Sequence, residues 1–535
     1  MPIADPGDRD DARGLVAEGS PSTLLIPFGI ALIALGYFVA RFRFLCDDAF
    51  ISFRYARNLV EGLGLRFNLG VEAPVEGYTD LGWILLIAPF EWLALDVGAW
   101  SQGISVACAV ALLFYVVTFV ARRTGLRSLP ATAAGLMFAA HPTVGVWATS
   151  GLGTMPLALA LFGTFERLLG DPERPRGVQA GIFGAAAVLL RADGIYWLGV
   201  IFVIAAVGAA RERRVGLVRA IVACGAIVAA TFSGHLLFRL GYYGEWLPQT
   251  ARAKVVPSAR FYQRGLYYLV ASWLEIPWNC GVLVAGAWLA LRRRVWALPC
   301  LGFVGASYLY PVLVGGDFMA MWRFLLPAVP FVAILSGMFV DEVLRVRGAL
   351  AASAVAVAML ATTVPVAFDA QLTPRALREA CHFRWRDPYY TEREIWARMK
   401  FNTKQWSVVG RALAEHTHEG ASIVTGTVGA IGYFSRRFLY DRNGLVTRGV
   451  SEAAPEPTEL GNPGHDRTVP SAFFAEFGPT YRSASLFRGD RSERRLYRRS
   501  MAATGKPLRI IYLKPSEGYP PDTCLVLVSY ADDGG

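Results

Sequence analysis

Long apolar segments separated by short polar ones run through most of the chain up to about residue 368. A helix needs about 20 mostly apolar residues to cross a bilayer, so these segments predict a polytopic α-helical membrane protein with about 11 transmembrane helices. The predicted spans lie near residues 23–41, 99–121, 129–147, 154–170, 177–191, 194–210, 216–238, 269–291, 296–314, 323–342 and 348–367. A further run, Leu81–Leu95, is short and contains Pro89 and Glu91, so we interpret it as an interfacial or re-entrant segment.

Basic residues between the spans predict how the chain is oriented. If the N-terminus is cytoplasmic, the arginine-containing loops all fall on the cytoplasmic side, as the positive-inside rule requires. These loops lie at 122–127, 167–176, 211–219, 292–294 and 345–347. This orientation makes residues 1–22 a cytoplasmic tail and 23–368 a transmembrane domain, with 369–535 outside the cell or in the periplasm. The first apolar run is too long for a signal peptide and is interpreted as an uncleaved helix.

Composition supports this class of protein. Of 535 residues, 54% are hydrophobic and only 18% are charged, and the mean hydropathy is +0.38, which is more apolar than soluble domains usually are. The net charge of +11 would suit nucleic acid, but the basic residues sit in short runs between apolar segments, where topology explains them. The seven cysteines are scattered without CxxC or Cys/His spacing, so the sequence indicates neither a disulfide framework nor a zinc site.

The tail, residues 369–535, is polar and rich in Arg, Pro and Gly. Its pattern predicts an amphipathic helix at Ile395–His416 and four strands. The strands are expected at Ala421–Thr427, Phe438–Asp441, Leu508–Leu513 and Cys524–Ser529. We therefore expect a small C-terminal α/β domain on the extracytoplasmic side.

The polar loop 42–80 after the first span holds the strongest chemical signal, the neighbouring carboxylates Asp47 and Asp48. Such a pair at a membrane edge can act as a general base or bind a divalent cation, and crowding raises one pKa. The alternative is that the pair caps the helix beginning at Ala49. Arg54 is among the arginines around the pair that suit a phosphate group, and the alternative is that these arginines are lipid-headgroup anchors.

Other charged and aromatic residues gather on the same predicted face. Glu76 and Tyr78 fit a sugar site, with a turn as the alternative for this stretch. Arg191, at the membrane edge beside Asp193, is a phosphate candidate, and a tight turn is the alternative for Asp193-Gly194. Tyr243 is a further candidate for sugar binding, with an interfacial aromatic as the alternative, and Lys254 is a candidate for binding an anionic headgroup. Asp317 and Arg323 follow a glycine pair that can pack close to a ligand. The alternative there is a hairpin in which Arg323 anchors the next helix. The glycines of 426–432 lack the spacing of a nucleotide-binding loop and are interpreted as turns.

Four stretches together resemble one family. They are DDAFISFRYARNLVEGLGLRFN…VEGYTDLGW, LFRLGYYGEWLPQTARAK, GGDFMAMWRFLLP and VTGTVGAIGYFSRRFLYDRNGL, in this order along nearly the whole chain. The combination resembles GT-C membrane glycosyltransferases, and within them the AftB-type arabinofuranosyltransferases of actinobacterial cell walls. The chain departs from that group in having Asp80 where relatives often have Asn, and Gly153 where they have Glu.

The resemblance implies a GT-C fold with a catalytic first outer loop. It implies a polyprenyl-phosphate donor that carries arabinofuranose, and a glycan acceptor of the cell envelope at the outer face of the plasma membrane. Asp47 and Asp48 match the acidic motif that holds the catalytic carboxylate, while Arg323 and Lys254 are candidates for the donor phosphate. The resemblance identifies no definite cofactor, and a divalent cation at Asp47 and Asp48 stays open.

Two other functions fit parts of the pattern. A transporter or flippase for lipid-linked sugars would place charges near the bilayer midplane, often in two repeated halves, whereas here they lie at one edge and no repeat is found. A non-catalytic assembly factor would need no acidic pair beside phosphate-binding residues. Within the glycosyltransferases, a mannose-type sugar and another acceptor remain the alternative.

Overall fold

The computed structural model describes residues 24–70, 73–171, 173–254, 257–454, 460–502 and 508–529. The predicted N-terminal tail, residues 1–22, lies outside the described residues. The described helices up to residue 361 are α1 Leu25–Arg41, α2 Ala49–Val60, α3 Leu81–Trp92, α4 Val97–Arg123, α5 Ser128–Ala139, α6 Pro142–Trp147, α7 Thr154–Leu169, α8 Gly177–Leu190, α9 Gly194–Glu212, α10 Val215–Tyr243, α11 Gln249–Lys254, α12 Ala259–Glu275, α13 Trp278–Leu291, α14 Ala297–Leu313, the 3₁₀ turn Arg323–Ala328 and α15 Val329–Ala361.

Proline and glycine interrupt several of the predicted spans. The span expected at 129–147 is divided into α5 and α6 just before Pro142. The span expected at 269–291 is wrong as a single helix, because α12 and α13 meet at Pro277 with a bend of 87°. Gly348, with φ of 83°, breaks α15 between the two spans predicted at 323–342 and 348–367. Proline lacks the N–H and glycine adopts positive φ freely, so both end regular helix.

Helix length and composition identify part of the membrane domain directly. Among the described residues, four segments are long and apolar enough to cross a membrane, and the bent α12–α13 pair makes a fifth if it is one span. The four are Val97–Arg123, Gly194–Glu212, Val215–Tyr243 and Arg323–Ala361. Shorter apolar helices, including α1 and α8, accompany them. The fold is therefore that of a helical membrane protein, and the number of eleven spans stays a prediction.

The segment α3 is 12 residues long with Pro89 inside it. At 1.5 Å per residue it reaches about 18 Å, against a hydrocarbon core of about 30 Å. It packs against α2, α4 and α8, and α2 in turn contacts the tail helix Gly429–Ser435. Nine of the twelve residues of α2 are buried, which is unusual for a segment with two arginines and shows that it is covered on both sides.

The tail folds into helices around one mixed sheet. The helices are α16 Arg375–Ala380, α17 Glu392–His416, α18 Gly429–Ser435, α19 Val450–Ala453 and α20 Arg491–Ala502, with 3₁₀ turns at Pro365–Phe368, Ser471–Phe477 and Pro515–Glu517. The strands are β1 Ser422–Thr425, β2 Phe438–Asp441, β3 Tyr481–Arg488, β4 Leu508–Tyr512 and β5 Thr523–Ser529.

The sheet order is β2-β1-β3-β5-β4. β1 pairs in parallel with β2 and β3, whereas β5 is antiparallel to β3 and β4. Four of these strands lie where the sequence predicted them, and β3 was not predicted. α17 begins at a capping box, in which Thr391 and Glu394 bond each other's backbone N–H groups. The turn from β1 into α18 directs the start of α18 towards the loop after α1.

Candidate active site between the membrane helices and the tail

The loop from Phe42 to Asp48 carries the acidic pair to the edge of the helical domain. The N–H of Cys46 donates to the carbonyl of Ser150 at 2.8 Å, which fixes the loop against the segment between α6 and α7. Asp48 precedes the first residue of α2, but its side chain makes no capping hydrogen bond. The capping alternative therefore does not account for Asp48.

Asp47 is bound by the tail. Its Oδ1 accepts a hydrogen bond from the backbone N–H of Ala430, in the first turn of α18, at 2.8 Å. Burial is the main cause that raises the pKa of Asp47 to about 7, the bond from Ala430 opposes it, and the neighbouring Asp48 adds to it. At neutral pH the Asp47 carboxyl is thus partly protonated, as expected for a half-buried acid next to another acid.

A polar cavity of about 100 Å³ lies beside Asp48. Four charged side chains contribute to its wall: Asp48, Asp80, Arg191 and Arg323. Asp80 accepts a hydrogen bond from the hydroxyl of Ser52 at 2.8 Å, and burial raises its pKa to about 6. The cavity therefore combines carboxylates with guanidinium groups in a small volume.

The two arginines of the polar cavity are held by acids behind them. Arg191 makes two hydrogen bonds to Asp193, at 2.8 and 3.1 Å, and Asp193 also accepts from the hydroxyl of Tyr310. The bridge accounts for the charged pair at this membrane edge. Arg323 donates from Nε to Asp317 at 2.8 Å, and both residues are buried. Asp317, predicted as a sugar contact, thus lies behind Arg323 and outside the cavity wall.

The predicted sugar contacts are distributed differently from the expectation. Tyr78 lines the polar cavity. Glu76 is buried in an ion pair with Arg239, at 2.5 and 3.2 Å, and burial raises its pKa. Tyr243 donates from its hydroxyl to the carbonyl of Leu65 at 2.8 Å and lies 3.0 Å from the hydroxyl of Tyr78. Glu76 and Tyr243 therefore bind other residues of the protein and do not line the polar cavity.

Of two further predicted phosphate ligands, one is directed away from the cavity and the other has a side chain outside the described residues. Arg54 is buried over the ring of Phe67 and donates to the carbonyls of Gly432 and Arg437, both at 2.9 Å. It thus ties α2 to the tail, because its donors are directed at backbone oxygens of the tail. Lys254 ends α11, and its side chain lies outside the described residues. Thr250, in the same helix, does line the polar cavity.

A second cavity of about 200 Å³, here called the interface cavity, lies between the first loop and the tail. It shares Asp48, Ile51 and Leu445 with the polar cavity, so Asp48 belongs to both walls. The tail contributes Asn402, Trp406 and Asn443 among other residues. These three residues were not predicted from the sequence, although Asn443 lies within one of the four family-like stretches. Asp80 was noted only as a departure from relatives.

The described ranges contain no group of three or more His, Cys, Asp or Glu residues arranged to hold a metal ion. A divalent cation at Asp47 and Asp48 stays a prediction.

Parts of the chain are similar in sequence to known proteins and to one family model. A family model described as a domain of unknown function (DUF8728) matches residues 393–506. A terminal β-(1→2)-arabinofuranosyltransferase of Mycobacterium tuberculosis is 28% identical over 241 residues, which cover 42% of this chain and 37% of that protein. Its namesake in Corynebacterium glutamicum is 26% identical over 359 residues, covering 58% of this chain and 51% of that protein. The chain thus matches about half or less of the length of these curated relatives.

Solved structures give the fold. The crystal structure of ArnT from Cupriavidus metallidurans bound to undecaprenyl phosphate superposes with a TM-score of 0.54 at 13% identity, covering 97% of this chain and all of that one. The apo structure gives 0.53 at 14% identity, covering 94% and 97%. At 13% and 14% identity, these matches show a shared fold and no more. The predicted resemblance to the GT-C group and to AftB-type arabinofuranosyltransferases is confirmed.

Proposed function

We propose that this protein is a membrane glycosyltransferase that moves a sugar of the arabinofuranose type from a polyprenyl-phosphate donor to a cell-envelope glycan. The observation that carries the proposal is the position of Asp48. One carboxylate lies in the wall of a cavity containing two arginines and also in the wall of a cavity formed with the tail. A transferase needs this arrangement, because a donor and an acceptor must meet at one base.

The polar cavity is the proposed site of the donor phosphate. Arg191 and Arg323 are preorganised by Asp193 and Asp317, so their guanidinium groups need little reordering to face an anion. The ArnT neighbour is a complex with undecaprenyl phosphate, which supports a lipid phosphate as the ligand. Lys254 would join these arginines from α11, the helix that also supplies Thr250 to the wall.

The interface cavity is the proposed site of the acceptor glycan. Its wall offers an aromatic ring, Trp406, and the amides of Asn402 and Asn443, which suit the flat faces and hydroxyls of a sugar. An acceptor hydroxyl placed near Asp48 would lie between the two cavities. The curated relatives carry the name of arabinofuranosyltransferases, which supports an arabinose-containing glycan.

In the proposed reaction Asp48 takes the proton of the acceptor hydroxyl as its oxygen bonds the anomeric carbon. The bond from that carbon to the phosphate oxygen breaks, and the polyprenyl phosphate leaves with the electron pair. Arg191 and Arg323 stabilise the charge that grows on it. Asp47, held by Ala430, positions the loop and connects it to the tail.

The proposed topology is that of the sequence analysis. Residues 23–368 form the transmembrane domain with eleven spans, and residues 369–535 lie outside the cytoplasm with the interface cavity. A donor lipid then enters from the plane of the membrane, while the glycan approaches from the cell envelope.

The test is sugar transfer by the full chain in lipid nanodiscs, from radiolabelled polyprenyl-phosphoarabinose to a synthetic arabinan. Loss of a general base costs about 10²- to 10⁴-fold, so Asp48→Asn should lose at least about a hundredfold in kcat. The exposed Asp369→Asn is the matched control and should retain activity. Transfer by Asp48→Asn at the rate of the unaltered protein would refute the role of Asp48. Transfer from a mannose donor in place of the arabinose donor would change the sugar.

A further inference from the structure

A third cavity, here called the basic pocket, lies at the opposite end of the helices from the acidic pair. It has a volume of about 400 Å³. Its charged wall consists of Arg122, Arg123, Glu166, Arg167 and Arg176. These residues stand at the C-terminal ends of α4 and α7 and just before α8.

The distance from the proposed active site follows from α7. Gly153, which lines the polar cavity, immediately precedes α7, and Arg167 is close to the other end of that 16-residue helix. At 1.5 Å per residue the helix is about 24 Å long. The basic pocket therefore lies near the other membrane surface, and the proposed reaction does not use it.

The charges of the basic pocket are not balanced within the described residues. Arg167 pairs with Glu166 and also donates to the hydroxyl of Tyr115 at 3.0 Å, so the one glutamate of the wall is occupied. Among the described residues that line this pocket, Glu166 is the single carboxylate, so the wall offers no second acid to Arg122 and Arg176. An excess of positive charge therefore faces this pocket.

Arg123 adds a third cation with a buried donor. Its terminal nitrogens donate to the carbonyls of Phe119 and Gly170, and its guanidinium lies 3.5 Å from the centre of the Phe119 ring. Its Nε is buried and has no hydrogen-bond acceptor among the described residues. A buried donor without an acceptor is costly, which favours an additional acceptor at this site.

An apolar stripe continues from the arginines along α4. Ala111, Phe114, Thr118 and Arg122 are spaced by three or four residues and line the same pocket, so they follow one face of the helix. The stripe covers about 16 Å along the helix axis. Phe114 is 52% exposed, so its ring is open to the surrounding medium.

We propose that the basic pocket binds the phosphate of an anionic phospholipid, with the acyl chain lying along the α4 stripe. A cationic pocket between transmembrane helices is the arrangement that anionic headgroups select. The apolar stripe favours a lipid over a soluble anion, because a soluble anion would contact the arginines alone. In the proposed topology the lipid belongs to the cytoplasmic leaflet, and its binding does not depend on the glycosyltransferase reaction.

The test is native mass spectrometry of the delipidated full chain with phosphatidylglycerol or with phosphatidylcholine of the same acyl chains. We expect phosphatidylglycerol to be retained and phosphatidylcholine to be lost. An arginine near an anionic lipid contributes about 1 kcal/mol, so Arg122→Gln with Arg176→Gln should weaken retention by roughly tenfold or more. The matched control, Arg211→Gln with Arg219→Gln, removes the same charge at the same predicted membrane face and should bind as the unaltered protein does.

Several results would overturn the proposal. One is equal retention of phosphatidylglycerol by the pocket variant and the unaltered protein, with both shown to be folded by their thermal transitions. Another is an equal loss in the control variant, which would indicate bulk charge instead of a site. Displacement of the lipid by millimolar inorganic phosphate would assign the pocket to a soluble anion.

Discussion

The ion pair between Arg264 of α12 and Asp466 of the tail gives the most direct test of how the two parts of the protein are joined. Both side chains are completely buried. Arg264 donates to the two carboxylate oxygens of Asp466 at 2.7 and 2.8 Å, and also to the carbonyls of Gly315 and Gly461. Gly315 stands two residues before Asp317, so this arginine also supports the segment that orients Arg323.

The perturbation is Arg264→Met, which keeps much of the side-chain volume and removes the charge. Asp466 then remains buried with one hydrogen bond, from the N–H of Gly461. Removing one partner of a buried ion pair costs about 3–5 kcal/mol, because the other charge is left without compensation. We expect the free energy of unfolding to fall by that amount. The double variant Arg264→Met with Asp466→Leu should recover most of the loss.

The assay is unfolding in mixed micelles with increasing denaturing detergent, followed by tryptophan fluorescence. The control is Arg375→Met, which breaks the exposed pair with Glu379 and should leave the transition unchanged. If Arg264→Met costs less than about 1 kcal/mol, the pair does not join the tail to α12 as inferred. A double variant whose loss equals the sum of the single losses would equally refute the reasoning.

Two further predictions concern the contact between Asp47 and α18. The pKa of Asp47 is raised to about 7 in the folded protein, against 3.8 for an ordinary Asp. Between these two pH values the folded state binds more protons than the unfolded state does. The free energy of unfolding therefore falls as the pH rises through this range. From pH 5 to 8 this loss is roughly 2–3 kcal/mol. In Asp47→Asn, the free energy of unfolding should fall by that much less over the same range. Equal pH profiles of the two proteins in denaturant titrations would contradict this prediction. Gly429→Ala places a methyl group against the Asp47 carbonyl and should cost about 1–3 kcal/mol, whereas Gly199→Ala, with open space around it, should cost nothing measurable in the same titration. An unchanged stability in Gly429→Ala would mean that the contact is loose.

Hydrophobic periodicity and composition were sufficient to predict the helices and strands whose own residues carry a clear pattern. Helix α17 and four of the five strands have strong patterns of their own, and they lie where the sequence predicted them. Strand β3, with the sequence YRSASLFR, has few apolar residues and is defined by its pairing with β5. The break at Pro277 was missed because the apolar run continues through it.

The sequence indicated which residues belong to the candidate site, but it did not indicate which residues their side chains bind. The acidic pair, Tyr78, Arg191 and Arg323 were selected from the sequence and line the two cavities. Glu76 was also selected, but its partner Arg239 is 163 residues away in the chain, a contact that a single sequence does not reveal. Arg54 was predicted to bind phosphate because it is one of the arginines around the acidic pair. Its actual acceptors are backbone oxygens of the tail, which cannot be identified from residue types.

The hydrogen bond between Asp47 and Ala430 joins residues 383 positions apart. A ribosome finishes the acidic loop long before it reaches the residues that hold it, so the two halves of the site come into existence at different times. During that interval the loop has its carboxylates but no interface cavity, because Trp406 and Asn443 have not yet been made. A chain that ends before the tail therefore carries the acidic pair without the interface cavity, since residues of the tail form part of its wall.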